Sequence, residues 1–138
     1  MSGELCDTNV IVYAYDTTAG AKRDRARELL QRLWESGEGI LSVQVLQELF
    51  VTLTRKFATS VTVGDARQLV ADMATWHVFA PGAGDVLDAV DASARWQLPF
   101  WDAMVLIAAR RGGADVVWSE DLNDGQAYDG VVVSNPFR

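Results

Sequence analysis

The chain has 138 residues, a length that fits one domain with a single hydrophobic core, and we predict one domain over residues 1–138. Hydrophobic residues make up 49% and charged residues 22% of the sequence, a globular composition that excludes an intrinsically disordered chain. The formal net charge of -7 disfavours a nucleic-acid partner unless cations are concentrated locally. Such a concentration exists around Lys22, Arg23, Arg25 and Arg27, although a solvated helix face also explains it.

No apolar run approaches the roughly 20 residues that a membrane span needs, and no positively charged region precedes an apolar one at the start of the chain. We therefore expect a soluble, cytoplasmic protein without a membrane partner. The single cysteine, Cys6, excludes an internal disulfide and fits a reducing compartment. Its apolar neighbours indicate a core residue rather than a nucleophile.

Hydrophobic periodicity and capping residues predict strands that alternate with helices. The predicted strands lie at 3–6, 39–42, 78–80, 116–118 and 131–133. A first predicted helix begins near Val10, and five further helices cover 21–38, 46–57, 62–76, 85–96 and 101–111. The continuous β-branched or aromatic runs at 116–118 and 131–133 predict strands covered on both faces. This order favours an α/β fold with a central parallel sheet.

Three acids each stand alone in a long uncharged stretch, which is typical of buried segments. Asp7 is the only charge between Leu5 and Tyr15, Glu48 between Gly39 and Thr54, and Asp102 between Trp96 and Ala109. A buried carboxylate needs a cation or hydrogen-bond donors, because desolvation without a partner costs several kcal/mol. Helix capping by Asp7 and Asp102, with an ion pair from Glu48, is the purely structural explanation.

A shared metal site explains all three acids together. Asp7 and Asp121 follow predicted strands, and Glu48 and Asp102 lie near the starts of predicted helices, so all four can face the crevice at the carboxyl ends of a parallel sheet. Carboxylates without nearby histidine or paired cysteine favour Mg²⁺ or Mn²⁺ over zinc. Such ions indicate phosphodiester or phosphoryl chemistry.

Four segments in this order resemble the PIN-domain ribonucleases, and especially the VapC-like toxins of VapBC-type toxin–antitoxin pairs. They are Asp7-Thr8-Asn9-Val10, the segment 42–49 that contains Glu48, Phe100-Trp101-Asp102-Ala103, and Ser119-Glu120-Asp121-Leu122. The resemblance runs along almost the whole chain. It implies a three-layer α/β/α PIN-like domain, metal-dependent endonuclease activity on RNA, a homodimer, and an antitoxin protein as partner.

By position, the resemblance makes Asp7, Glu48 and Asp102 the core metal ligands and Asp121 the fourth acid. Asp124 is an alternative ligand, and an Asx turn before Gly125 is its structural explanation. Thr8, Asn9 and Ser119 are expected to hydrogen-bond the acids or their water ligands, or to act as caps. Residues proposed to contact RNA phosphates are Arg23, Arg25, Arg27, Arg110 and Arg111.

The predicted function is hydrolysis of RNA phosphodiester bonds by metal-activated water, which leaves 5′-phosphate ends. A Mg²⁺-dependent phosphatase or phosphoryl-transfer domain is an alternative, although a phosphatase with an aspartate nucleophile usually carries a second aspartate where this chain has Asn9. A catalytically silent RNA- or antitoxin-binding module is another. His77, the only histidine, is interpreted as structural, and the five tryptophans as core or dimer packing.

Overall fold

The computed structural model describes residues 3–57 and 60–138. Within these ranges the elements are β1 (Gly3–Cys6), α1 (Thr8–Tyr15), α2 (Ala21–Ser36), β2 (Gly39–Ser42), α3 (Val43–Lys56), α4 (Val63–Met73), β3 (His77–Phe79), α5 (Ala83–Trp96), α6 (Phe100–Gly112), β4 (Ala114–Trp118), β5 (Ala127–Tyr128) and β6 (Val131–Ser134). The strands form one sheet in the order β3-β2-β1-β4-β6-β5. All neighbouring strands are parallel except β5 and β6. The predicted α/β fold with a central parallel sheet is therefore confirmed.

Neighbouring residues of a strand point to opposite faces of the sheet, so the apolar strands place hydrophobic side chains on both faces. Helices cover both faces. Cys6 and Leu41 lie in a core cluster with α1, α2, α3 and α4, whereas Leu5 and Ile40 pack against α6 on the other face. Helix α5 packs in turn against α6. This is the three-layer α/β/α arrangement expected from the sequence.

Local sequence signals set several helix ends. Gly37 takes the left-handed conformation (φ 72°) and ends α2 at Ser36, two residues before the predicted end. Thr62 and Asp65 form the predicted capping box at the start of α4. Helix α4 ends at Met73 rather than near Trp76, because the chain turns there to place the Trp76 ring over Gly39. A Cβ atom at Gly39 would lie 2.5 Å from that ring.

The prediction of strands covered on both faces was wrong for 131–133, whereas Val117 and Trp118 pack into the core clusters on opposite faces of the sheet. Val131 and Val133 are buried against α6, but Val132 between them is 39% exposed. Helix α6 covers only one face at this end of the sheet, so β6 alternates between buried and exposed residues.

Strand β5 was not predicted. It is two residues long and pairs with β6 through a turn at Asp129 and Gly130, both with positive φ (50° and 88°). Two such residues form the type of turn that an Asp-Gly pair favours in hairpins.

None of the helices in the described part of the chain combines the length and hydrophobicity that a bilayer span requires.

Candidate active site

The candidate site lies where β1 and β4 end side by side. Asp7 follows β1 directly, and its backbone N–H donates to the carbonyl of Trp118 at 2.9 Å, at the end of β4. Ser119 and Asp121 come next along the chain. Because β1 and β4 are parallel neighbours, both loops open at the carboxyl edge of the sheet.

Asp7 is held from both sides by hydrogen bonds. It caps α1, with its Oδ1 accepting from the Thr8 backbone N–H at 2.8 Å, and its Oδ2 accepts from the Ser119 hydroxyl at 2.8 Å. Burial raises the pKa of Asp7 from 3.8 to about 6. The bonds from Ser119 and Thr8 oppose this rise, whereas the negative charges of Glu48 and Asp121 add to it. Asp7 is therefore near enough to both acids to feel their charges.

Glu48 reaches the same crevice from α3. Its Oε1 accepts from the Thr8 hydroxyl at 2.9 Å and from the Gln44 amide at 3.5 Å. The uncharged stretch around Glu48 predicts burial, and this expectation was wrong because Glu48 is exposed. Successive helical residues are rotated by about 100°, so Leu49 fills the core while Glu48 faces the crevice.

Asp121 is also exposed and is tied to the start of α1. Its Oδ2 accepts from the Asn9 amide at 3.0 Å, and its backbone N–H donates to the Ser119 hydroxyl at 3.2 Å. Ser119 thus contacts both the Asp7 side chain and the Asp121 backbone. Thr8, Asn9 and Ser119 each donate a hydrogen bond to a different one of the acids.

Asp102 lies in the first turn of α6 and is partly buried. Burial raises its pKa, and the charge of Asp121 contributes to the same shift. The Gln44 amide joins α3 to this helix, since it also lies 3.5 Å from the carbonyl of Trp101. Within the described ranges, no hydrogen bond or ion pair to the Asp102 carboxylate was found.

The four acids lack cationic partners. Among residues 3–57 and 60–138, none of them lies within 4.0 Å of a lysine or arginine nitrogen. Their side chains, as placed, also do not bring three ligands around one point in the described structure. Asp7, Glu48 and Asp121 instead accept hydrogen bonds from different donors around the crevice, an arrangement that repulsion between like charges favours.

The donor set fits a hydrated divalent cation. Each carboxylate oxygen keeps lone pairs beyond its present hydrogen bonds, and all-oxygen sites suit Mg²⁺ or Mn²⁺. Gln44 supplies an independent observation, because its Oε1 is buried without a hydrogen-bond partner among the described residues. A buried acceptor without a partner requires an explanation, and a water ligand of a bound ion would satisfy it.

The other predicted site residues lie elsewhere. Asp124 accepts from the Asn135 backbone N–H at 2.8 Å and so ties the loop after β4 to the end of β6. Arg110 and Arg111 stand at the last turn of α6, opposite Asp102, and pair with acids there. Arg23, Arg25 and Arg27 lie on α2 and contact none of the four acids in the described structure.

Two interpretations of single residue types can also be compared with the structure. His77 is exposed at the start of the edge strand β3, and no described contact joins it to the four acids. The five tryptophans were interpreted as core or dimer packing. Trp34 is 50% and Trp101 62% exposed, so these two are not core residues, and packing in a dimer stays a prediction for them. Cys6 is fully buried, and burial raises the pKa of its thiol, as expected for a core residue.

Sequence reasoning missed three residues around the crevice. Gln44 stands four residues before Glu48 on α3, a spacing that places both on one helix face. Tyr13 and Lys56 line a cavity beside Glu48 and Asp121. The helical spacing of Glu48 and Lys56 could have indicated that both lie on one face of α3, whereas no local sequence pattern connects Tyr13 to the acids.

Comparison with known proteins identifies the class of protein. The family model for the PIN domain matches residues 5–126, and this chain therefore belongs to the PIN-domain family, as its motifs predict. No curated protein matches the chain significantly.

Three solved structures share the fold at low sequence identity. A toxin–antitoxin complex from Klebsiella pneumoniae is 17% identical with a TM-score of 0.71, covering 97% of this chain and 98% of that one. DNA-bound VapBC from Salmonella typhimurium is 18% identical with a TM-score of 0.68, covering 99% of each chain. VapC20 from Mycobacterium tuberculosis, a sarcin–ricin loop cleaving toxin, is 20% identical with a TM-score of 0.65, covering 86% of this chain and 90% of that one.

Proposed function

We propose that this chain is a divalent-metal-dependent endoribonuclease and the toxin of a toxin–antitoxin pair. The observation that carries the proposal is the set of four acids at one edge of the sheet, Asp7, Glu48, Asp102 and Asp121, which lack cationic partners in the described structure. Helix capping explains Asp7 alone and does not explain why four acids gather at one edge without a cation, because their mutual repulsion costs free energy. A catalytic role needs them free to hold an ion that also binds phosphate.

Asp7, Glu48 and Asp102 are the proposed ligands of Mg²⁺ or Mn²⁺, and Asp121 completes the site. When bound, such an ion would lower the pKa of water toward neutrality and stabilise charge on phosphate oxygens. Ser119, Thr8 and Asn9 fix the rotamers of three acids through the hydrogen bonds described above. The Gln44 carbonyl oxygen, which is buried without a hydrogen-bond partner in the described structure, would accept a hydrogen bond from a water ligand.

The chain's own residues then mainly position the reacting groups. The partly buried Asp7 and Asp102 carboxylates lie in a region where burial already disfavours their charges, so binding of a cation relieves that cost. Water attacking the phosphorus in line with the leaving 3′ oxygen would give a 5′-phosphate and a 3′-hydroxyl. Attack by the RNA's own 2′-hydroxyl would give a 2′,3′-cyclic phosphate instead.

The toxin role and its partners are supported by the solved structures, two of which are toxin–antitoxin complexes. We also propose a homodimer. An apolar strip on the outer face of α5 supports it, because Val86, Leu87 and Val90 are exposed together and Trp101 is exposed at the start of the adjacent α6. Exposed apolar patches of this kind mark protein contacts. Light scattering of the purified chain tests the dimer, and a monomer across micromolar concentrations would contradict it.

The test of the activity uses purified chain freed of metal and of any antitoxin. It is incubated with a pool of structured RNA and Mg²⁺ or Mn²⁺, beside an Asp7→Asn variant. We expect mapped cleavage with 5′-phosphate ends that is abolished by EDTA and in the variant. Cyclic phosphate ends would overturn the mechanism, and metal binding without cleavage of any RNA would favour the phosphatase or the binding module.

A further inference from the structure

A cavity of about 340 Å³ extends from the four-acid crevice between α1 and α3. Its walls include Asn9 and Tyr13 from α1 and Glu48, Thr52 and Lys56 from α3. The three α3 residues are spaced by four, so they follow one another along a single face of the helix. The cavity therefore begins at a proposed metal ligand and ends at a cation.

Lys56 is the only basic residue among those that line this cavity. Its ammonium nitrogen lies 3.2 Å from the carboxylate of Asp16, which is buried and also accepts two hydrogen bonds from Thr18. The ring centroid of Tyr13 lies 5.8 Å from the same nitrogen. An ammonium group has three donors, so Lys56 can keep Asp16 and still bind a second anion.

The walls around Lys56 are fixed before any ligand binds. The Tyr13 hydroxyl donates to Glu120 at 2.8 Å, and Lys22 pairs with the same carboxylate. The ring of Tyr13 also packs edge-on against Phe137 at 5.0 Å. The Thr52 hydroxyl, between Glu48 and Lys56, makes no hydrogen bond within the described ranges and is free to bind a ligand.

The distance along α3 decides which group the cavity can bind. Glu48 and Lys56 are eight positions apart on α3, or about 12 Å along the helix axis. The side chains keep this separation, because Glu48 accepts from Thr8 at the start of α1 whereas Lys56 pairs with Asp16 just after its end. One phosphate therefore does not contact both an ion at the acids and Lys56. A group bound at Lys56 must therefore belong to another nucleotide of the same strand.

We propose that Thr52 and Lys56 form a second phosphate subsite, which binds a backbone phosphate of single-stranded RNA on a nucleotide near the one that is cleaved. This inference rests on the proposed function and adds to it the path of the substrate. Lys56 supplies the charge and Thr52 a hydrogen bond. The cation offsets the repulsion that the acids at the other end of the cavity exert on the RNA backbone.

The test measures binding of a fluorescein-labelled, single-stranded RNA oligonucleotide by anisotropy, in EDTA and over a range of salt concentrations. All proteins carry Asp7→Asn so that the RNA is not cleaved. In this background, Lys56→Gln is expected to weaken binding by roughly 5-fold at low salt and to reduce the slope of log affinity against log salt by about 0.7. Lys56→Arg should retain most of the affinity, and Thr52→Val should lower it by about 2-fold.

Arg55→Gln is the matched control, because it removes the same charge from the adjacent, exposed position of α3. It should change the affinity by less than about 2-fold. If the parent protein binds RNA, and Lys56→Gln and Arg55→Gln have the same affinity and the same salt dependence, the proposed subsite is overturned. Failure of the parent to bind any RNA, together with failure of the wild-type chain to cleave it, would instead overturn the proposed function.

A second measurement does not depend on the folding of the Lys56→Gln variant. Oligonucleotides carrying one neutral methylphosphonate at successive positions are titrated against the protein that retains Lys56. Loss of affinity at one position a few nucleotides from the mapped cleavage site is expected. A uniform small loss at every position would contradict a defined phosphate subsite.

Discussion

The two ends of α6 differ in how the acidic residues near them are paired. At its last turn, Arg111 pairs with Asp85 and Asp88, and Arg110 lies 3.5 Å from Asp129, which Arg95 also contacts. At its first turn, Asp102 and the acids near it have no basic partner within the described residues. The chain therefore has arginines available and places them at only one of the two ends.

This difference indicates what each group of acids is for. The acids at the last turn of α6 are neutralised by arginines of the same chain, so they do not require a bound cation. The acids at the carboxyl edge of the sheet are partly satisfied by hydroxyl and amide groups, which leave their negative charge uncompensated. We attribute the missing positive charge to a divalent ion.

The largest expected effect is on the cleavage rate, when an acid near the first turn of α6 is removed and compared with an acid at its last turn. Asp7→Asn or Asp102→Asn should lower the cleavage rate by at least about 100-fold, because each removes a proposed metal ligand worth several kcal/mol in the transition state. Asp129→Asn should change the rate by less than about 2-fold, although it also removes a charge. Single-turnover cleavage of the mapped RNA is the measurement, and similar losses for all three variants would remove the distinction between the two ends.

The second effect concerns stability without metal. The folded-state pKa of Asp7 is raised from 3.8 to about 6, so its stabilising contribution is complete below pH 3.8 and is lost as the pH rises through 6. At pH 7 in EDTA, Asp7→Asn should therefore raise the free energy of unfolding by about 1–3 kcal/mol, and this advantage should vanish near pH 4. Urea unfolding at both pH values measures it, and a variant less stable than wild type at pH 7 would contradict it.

A smaller effect is expected at Gln44. Gln44→Met keeps the side-chain length but removes the carbonyl oxygen that lacks a partner and the amide that contacts Glu48. Mn²⁺ affinity should fall by about 3- to 10-fold, while the metal-free protein should lose no stability. The matched control is Gln47→Met, at an exposed position of the same helix. Equal Mn²⁺ affinity in both variants would exclude a role for Gln44 in the site.

Much of the fold follows from local sequence signals. The bounds of β1 and β2 agree with those predicted, and Gly37 and the Thr62–Asp65 box mark helix ends by short-range chemistry. Errors arose where distant parts of the chain decide the outcome. The exposure of Val132 depends on which strands α6 covers, and the end of α4 depends on contact between Trp76 and Gly39.

The candidate site divides in the same way. Isolated charges in apolar stretches indicated Asp7, Glu48 and Asp102, but the stretch around Glu48 could not show that its side chain is exposed. The contact of Gln44 with Trp101 spans 57 residues of sequence and that of Tyr13 with Glu120 spans 107, so no local pattern encodes them. The cavity that ends at Lys56 became visible only in three dimensions.

Calorimetric titration of Mn²⁺ into the metal-free chain tests the central claim most directly, with Asp7→Asn and Asp129→Asn in parallel. Saturable binding to the wild-type chain and to Asp129→Asn, with loss in Asp7→Asn, is the predicted result. Absence of binding to the wild-type chain, or equal binding to all three proteins, would show that the acids at the carboxyl edge of the sheet are not a metal site.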